Sequence, residues 1–399
     1  MVEHCKKLAI EYQTKPKQEW SLIKRLGTMN GGLNTGISKV ECKEKQPGMV
    51  FIEKRFGPRE FRQNIPHREI QMLHQISDHA NIPRMVDHFI DAPNRTAAVY
   101  LEYCDLGSLE NVVMQVAHGK HVNEHKVWNW FIQLTEALVY CHRGPKSELT
   151  DDEITQSDWS RVFHRDIKPA NILLTTENGQ IVAKLADFGC AISEDYIALD
   201  SRKIDAIRQS AWTDGYDAPE HPFFSGTSDV WQLGISMVCL CTGNLHPRSR
   251  HNPKGQPWDI GLPAGSKYSL ELSSCLNACL VTDRNRRFTV YPVLQLLEKQ
   301  YKALSAQVPA DAMPLEIFDR NMFQAPRSAR FPMNQQQMPY QDYPLPNQQP
   351  GFYQYPVGPG RPGLASPRAG NMENPVNDHG YPNAQMPFPG GRPRRRDFM

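Results

Sequence analysis

Asn171 and Asp187 carry side-chain oxygens of the kind that hard cations such as Mg2+ accept, and the residues between them say how they meet. Residues 172–186 read ILLTTENGQIVAKLA. Two β-rich runs flank Asn178-Gly179, a dipeptide that favours a tight hairpin because both positions tolerate positive φ. Folding the chain back at that dipeptide sets residue 171 opposite residue 186. Asn171, just before the first strand, therefore meets Asp187, just after the second, and the pair forms a candidate cation site.

The elements that must position this pair follow from patterning. Residues 20–104 read mainly as strands with one helix, and residues 105–304 mainly as helices, including 124–142 and 228–242. The expected fold is α+β and bilobal: a small antiparallel-sheet lobe with one helix, a larger helical lobe, and a cleft between them. The chain has 399 residues, 40% of them hydrophobic, enough to bury a large core. Its formal net charge of +2 gives no argument for nucleic-acid binding. Nine cysteines with no C-x-x-C pair suggest neither a zinc site nor a disulfide framework, so a reducing compartment, cytoplasm or nucleus, is expected. No apolar run reaches the ~18 residues of a membrane span, and the first twenty residues are too charged for a signal peptide. After Leu304 lysine, cysteine and tryptophan cease, and proline, glutamine and tyrosine dominate. Residues 305–399 are read as a disordered tail, and 1–19 as an N-terminal extension.

Read outward from the hairpin, His164-Arg165-Asp166-Ile167-Lys168-Pro169-Ala170-Asn171 and Asp187-Phe188-Gly189 resemble the catalytic loop and DFG motif of eukaryotic-type serine/threonine protein kinases. The resemblance spans residues 20–304, with the small lobe at about 20–104 and the large lobe at about 105–304. It implies that Asp166 accepts the proton of the substrate hydroxyl, that Lys168 neutralises the transferring phosphoryl group, and that Asn171 and Asp187 hold Mg2+ on ATP. It also implies a strand lysine on the α/β-phosphates, for which Lys54 in VFIEK is the candidate. In PHREIQMLHQI, Met72, Leu73 and Ile76 fall on the same helical face as Glu69. A carboxylate there is costly unless paired. An ion pair with Lys54 satisfies it, and an edge position reaching water is the alternative.

The match loosens over the phosphates. Gly27, Gly31 and Gly32 stand where the family's glycine-rich loop is expected, with Met29 replacing the second glycine and Asn34 the following valine. Another register gives the valine's role to Ile37 or Val40, and a plain hairpin turn is the alternative to both. Ile52 replaces the alanine under the adenine and narrows the pocket. The hinge is expected at Leu101, Glu102, Tyr103 and Cys104, with Leu101 as gatekeeper. Glu220 is expected to pair with Arg287, and Asp229 to brace the catalytic-loop backbone. By the same resemblance Thr213 contacts the catalytic Asp and Lys, and Arg165 receives an activation-segment phosphate, first on Ser210. Ser201 or Thr213 are further candidates, and Asp205 in the phosphate's place is the alternative.

Residues 143–161 form an acidic insertion, read as a solvated surface loop. It is similar to kinases of filamentous fungi related to the NIMA group. The resemblance implies an enzyme that phosphorylates serine or threonine of protein substrates with ATP and Mg2+. The alternative is a pseudokinase or scaffold that binds partners through the fold, and a further one is an interaction protein whose tail binds other proteins.

Overall fold

A computed structural model describes residues 13–27, 36–44, 48–146, 153, 158–199, 213–245, 247 and 261–307. Gly31, Gly32, Ser201, Asp205, Ser210, most of the insertion and the tail from residue 308 lie outside the described residues, while residues 305–307, read as tail, continue the last helix.

The small lobe is built on strands β1 (Trp20–Gly27), β2 (Gly36–Cys42), β3 (Val50–Phe56), β4 (Met85–Asp91) and β5 (Thr96–Glu102). They form one antiparallel sheet in the order β1-β2-β3-β5-β4. One helix was expected in this lobe, and the structure has two. A single turn, α1 (Pro58–Arg62), precedes α2 (Ile65–Ile76). Proline presets the first turn of α1, and the Gly57 N–H donates to the Glu60 carboxylate. The residues before β1 are not a free extension where they are described. Gln13 accepts from the Ile90 N–H on edge strand β4, and Lys17 N, Gln18 N and Trp20 Nε1 all donate to the buried Asp87.

The large lobe comprises α3 (Leu109–Ala117), α4 (Glu124–Arg143), β6 (Val162–Phe163), β7 (Ile172–Glu177), β8 (Gln180–Leu185), β9 (Ile192–Ser193), α5 (Glu194–Leu199), α6 (Gly226–Thr242), α7 (Leu270–Cys279) and α8 (Val290–Gln307). Helix α6 is buried from Ser228 to Cys241, and its largely apolar sequence needs that cover. It forms the axis of the lobe's core. The β7–β8 hairpin turns at Asn178 (φ 49°) and Gly179 (φ 77°). Ile172 pairs with Leu185, and the Ala186 N–H donates to the Asn171 carbonyl at 2.9 Å. The expected alignment of 171 with 186 is thus present.

The insertion departs from a purely solvated loop. At its return flank Trp159 packs edge-on against Tyr140 and donates its indole N–H to the Cys141 carbonyl, and Ser160 is buried. The eight cysteines among the described residues are free thiols. Among the described residues no helix is long and apolar enough to cross a membrane.

The floor of the large lobe is held by the expected Glu220–Arg287 pair. Arg287 Nη1 and Nη2 donate to the two Glu220 oxygens at 2.7 and 2.9 Å, and the Arg287 side chain is 0% exposed. Removing one partner strands the other charge away from water. Glu220→Ala is therefore expected to lower stability by about 3–5 kcal/mol, read from the urea unfolding midpoint. A paired Glu220→Leu/Arg287→Met variant, which strands no charge, loses less.

Candidate active site

Strand β3 and helix α2 meet the exit of β8 at one cation. Lys54 Nζ donates to Glu69 Oε1 and Oε2 at 2.7 and 2.9 Å, and to Asp187 Oδ1 at 2.7 Å. The Lys54 and Glu69 side chains are buried, while Asp187 keeps about a third of its surface open to the cleft. Glu69 therefore takes the paired position expected of it, not an edge position. Burial pushes the Asp187 carboxyl up, but the Lys54 ammonium more than reverses this and holds it at about 2. Burial raises the Glu69 carboxyl against the pull of the same lysine. One ammonium shared between a buried carboxylate and a partly open one leaves surplus negative charge facing the cleft. Gly189 suits this crowding: a Cβ there would lie 3.2 Å from Asp187 Oδ1 and 3.3 Å from Glu69 Oε2, and the two carboxylates would have to give by a few tenths of an ångström.

The second cluster lies on the loop between β6 and β7. Lys168 Nζ donates to Asp166 Oδ2 at 2.9 Å and to Thr213 Oγ1 at 2.8 Å, and the Thr213 hydroxyl donates to Asp166 Oδ1 at 2.8 Å. Asn171 Nδ2 donates to the Asp166 carbonyl and to Asp166 Oδ2. Helix α6 supports the loop from beneath. Asp229 accepts from the His164 and Arg165 N–H groups, at 2.9 and 2.8 Å, and its Oδ2 lies 2.9 Å from His142 Nε2. Arg165 is buried, has φ 67°, and donates through Nε to the Cys190 carbonyl. Burial lowers its guanidinium to about 10.

The donor set fits a divalent cation. No hydrogen bond among the described residues engages Asn171 Oδ1 or Asp187 Oδ2, so each keeps an oxygen free for a ligand. Among the described residues no group of three acidic, histidine or cysteine side chains forms a self-sufficient metal cage. Two protein oxygens suit a cation that completes its shell with phosphate oxygens and water.

The nucleotide end of the cleft is narrow. Ile52, Leu101, Glu102, Leu173, Ala186 and Phe188 help line a cavity of about 50 Å3 that reaches Asp187. Ile52 pairs with Leu101 on β5 and with Lys39 on β2, so the three share the cleft face of the sheet. Ile37 pairs with Lys54 and shares that face, whereas Val40 pairs with Phe51 and packs on the far side. Of the two β2 candidates for the valine's role, only Ile37 faces the cleft. Gly27 closes β1 opposite Ile37. The Lys39 ammonium lies over the ring of hinge residue Tyr103, 3.9 Å from its centroid, and bonds its hydroxyl. Cys104 is buried behind the hinge.

Sequence reasoning missed two supports. Gln232 accepts from the Ile167 N–H at 3.0 Å and donates to the Arg165 carbonyl at 3.2 Å. Its signal was available, since it lies one helical turn beyond Asp229 in a helix otherwise almost wholly apolar. Lys184 donates to the Ala80 carbonyl and pairs with Glu102 at 3.1 Å and Glu177 at 2.7 Å, fastening β8 to the hinge. A lone lysine in a β-run carried no comparable signal.

This combination of lobes, shared lysine and braced loop defines a phosphotransferase cleft. The sequence pattern of the protein kinase domain matches residues 34–301, and the chain belongs to the protein kinase family. It is 32% identical over 262 residues to the G2-specific protein kinase fin1 of Schizosaccharomyces pombe, covering 58% of this chain and 33% of that protein. It is 28% identical over 229 residues to the serine/threonine-protein kinase Nek2 of Homo sapiens, covering 56% and 46%. It is 26% identical over 283 residues to the probable serine/threonine-protein kinase nek2 of Dictyostelium discoideum, covering 67% and 60%. The Nek names agree with the resemblance to NIMA-related kinases. The chain spans between a third and three fifths of the length of these relatives.

The Asp187 shift fixes a pH dependence. Its folded value of about 2 lies below the ordinary unfolded value of about 3.9. Its contribution to stability is thus complete above pH ~4 and is lost as pH falls through ~2. Urea unfolding of wild type and Asp187→Asn, compared across that window, is expected to show the gap between them narrowing as acid is added.

Proposed function

We propose that the chain is an active serine/threonine protein kinase that transfers the γ-phosphoryl group of ATP to protein hydroxyls with Mg2+ as the metal. The observation that carries the reading is the meeting of Asp166, Lys168 and Thr213. A carboxylate able to take a hydroxyl proton and a cation able to meet developing phosphoryl charge share one hydroxyl between them.

In this reading Asp166 orients the acceptor hydroxyl and takes its proton as the hydroxyl oxygen bonds the γ-phosphorus and the bond from that phosphorus to the bridging β-phosphate oxygen breaks, releasing ADP. Lys168, held by Asp166 and Thr213, faces the negative charge on the transferring group. Lys54, fixed by Glu69, aligns the phosphates that lead to it. Asn171 and Asp187 hold Mg2+, which neutralises phosphate charge when bound. The hinge backbone from Glu102 to Cys104 receives the adenine edge, beneath Ile37 and Ile52. The braced loop costs no reorganisation at the moment of transfer. Arg165 is the proposed acceptor of a phosphate on Ser210. The free thiols and the odd cysteine count support action in the cytoplasm or nucleus. The proline- and tyrosine-rich tail is proposed to bind other proteins.

The test is radiolabelled phosphate transfer from ATP and Mg2+ to a generic basic protein. Wild type is expected to label serine and threonine, and Asp166→Ala to lose about 10²–10⁴-fold in kcat. Absence of transfer by wild type, together with no rise in melting temperature on adding ATP and Mg2+, overturns the reading in favour of a partner-binding scaffold. Ile52→Ala, which widens the narrow end of the cleft, is expected to lower KM for ATP by about tenfold, measured by initial rates over an ATP series.

A further inference from the structure

The insertion ends on a junction that touches two elements flanking the catalytic centre. Ser160 is the centre of it and is only 5% exposed. Its carbonyl accepts from Gln75 Nε2 at 2.6 Å, and its hydroxyl accepts from the Asp195 N–H at 3.1 Å. Gln75 lies in the last turn of α2, the helix that carries Glu69. Asp195 lies in the first turn of α5, at the start of the segment that returns through Thr213.

The neighbouring residues make the junction continuous. The Glu194 N–H donates to the Arg161 carbonyl at 2.8 Å, Val162 pairs with Ser193, and Phe163 pairs with Ile192. The ladder between the approach to the catalytic loop and the segment after Gly189 thus extends through Arg161 to Ser160, inside the insertion. At the other end of this ladder, His164 follows Phe163 and begins the loop that carries Asp166. On its other side Trp159 is wedged onto the end of α4, where its indole sits against Gly144 (φ 81°) so closely that a Cβ there would lie 2.7 Å from the ring. The flank is therefore anchored at its outer end and branches at Ser160 to α2 and to α5.

We infer that Gln75 and Ser160 are positioning residues for phosphoryl transfer, joining the insertion to the helix that holds Glu69 against Lys54. The inference rests on the kinase reading but concerns a link the reading does not need. Gln75 is the only part of α2's last turn tied to this flank by a side-chain bond among the described residues. It acts through Glu69, which sits on the same rigid helix, and a small tilt of that helix displaces Lys54 from the phosphates. A displacement of this kind far from the reacting atoms lowers kcat more than it weakens nucleotide binding.

The experiment uses the full chain with three variants, Gln75→Leu, Ser160→Ala and Ser160→Thr. Two measurements are made: steady-state kinetics with ATP varied, and hydrogen exchange of the amides of residues 69–76. Gln75→Leu, which removes the bond to the Ser160 carbonyl, is expected to lower kcat by about tenfold with KM for ATP little changed, and to speed exchange in α2. Ser160→Ala removes only the hydroxyl that accepts from the Asp195 N–H and leaves the carbonyl that Gln75 meets, so it is expected to lower kcat with α2 exchange at the wild-type rate, and Ser160→Thr, which keeps the hydroxyl, to restore kcat. Unchanged exchange and kcat in Gln75→Leu overturn the inference. So does a fall in the melting temperature of Gln75→Leu that accounts for its lost activity while its exchange in α2 stays at the wild-type rate. If wild type neither transfers phosphate nor melts higher with ATP and Mg2+, the kinase reading fails separately, and the exchange measurement still decides the link.

Discussion

The Lys54 ammonium, held between Glu69 and Asp187, is the interaction on which the rest of the cleft depends. It ties together a strand, a helix and the end of a hairpin that are far apart in sequence. Each partner is costly alone: a buried lysine without carboxylates, or a buried carboxylate without a cation, loses its hydration and gains nothing. Together they fix the face that α2 turns inward and the direction in which Asp187 leaves β8. The tightness of the cluster also bears on Gly189, since a Cβ there would press on the Asp187 and Glu69 carboxylates.

A second constraint comes from below. The catalytic loop holds Arg165 at φ 67°, and the segment after β8 holds Asp187 at φ 64°, conformations that non-glycine residues adopt only when their surroundings demand it. The surroundings are visible. Asp229 and Gln232, on a helix whose remaining faces are apolar, receive and donate hydrogen bonds along the loop from His164 to Ile167. His164 in turn lies 2.9 Å through Nε2 from the Ala186 carbonyl, binding the loop to the end of β8. The central helix thus serves as core and as template, and the strained loop is held by two of its buried polar side chains.

The insertion shows where the family plan and this chain part company. Its acidic composition read as a loop facing water, but its return flank carries Trp159 and Ser160, whose burial the composition did not signal. A tryptophan at the end of a polar stretch was the available cue, because exposing its ring to water is unfavourable. The nucleotide end departs too, with Ile52 and a lysine over the hinge tyrosine on the cleft face of the sheet.

The sequence by itself determined the α+β class, the hairpin that brings Asn171 to the level of Asp187, and the apolar face on which Glu69 falls, while the Glu220–Arg287 pair was implied only by the resemblance to the protein kinase family. The first three follow from short-range pattern and turn chemistry, which act locally along the chain. Only the tertiary structure decided that Lys54 bonds both carboxylates, that Ile37 rather than Val40 faces the cleft, that Gln232 and Lys184 are supports, and that Ser160 reaches Gln75. Those depend on strand register and on which elements pack together. A one-residue change of register turns every side chain of a strand to the opposite face, and nothing in a linear pattern records which distant donor will meet a given buried acceptor.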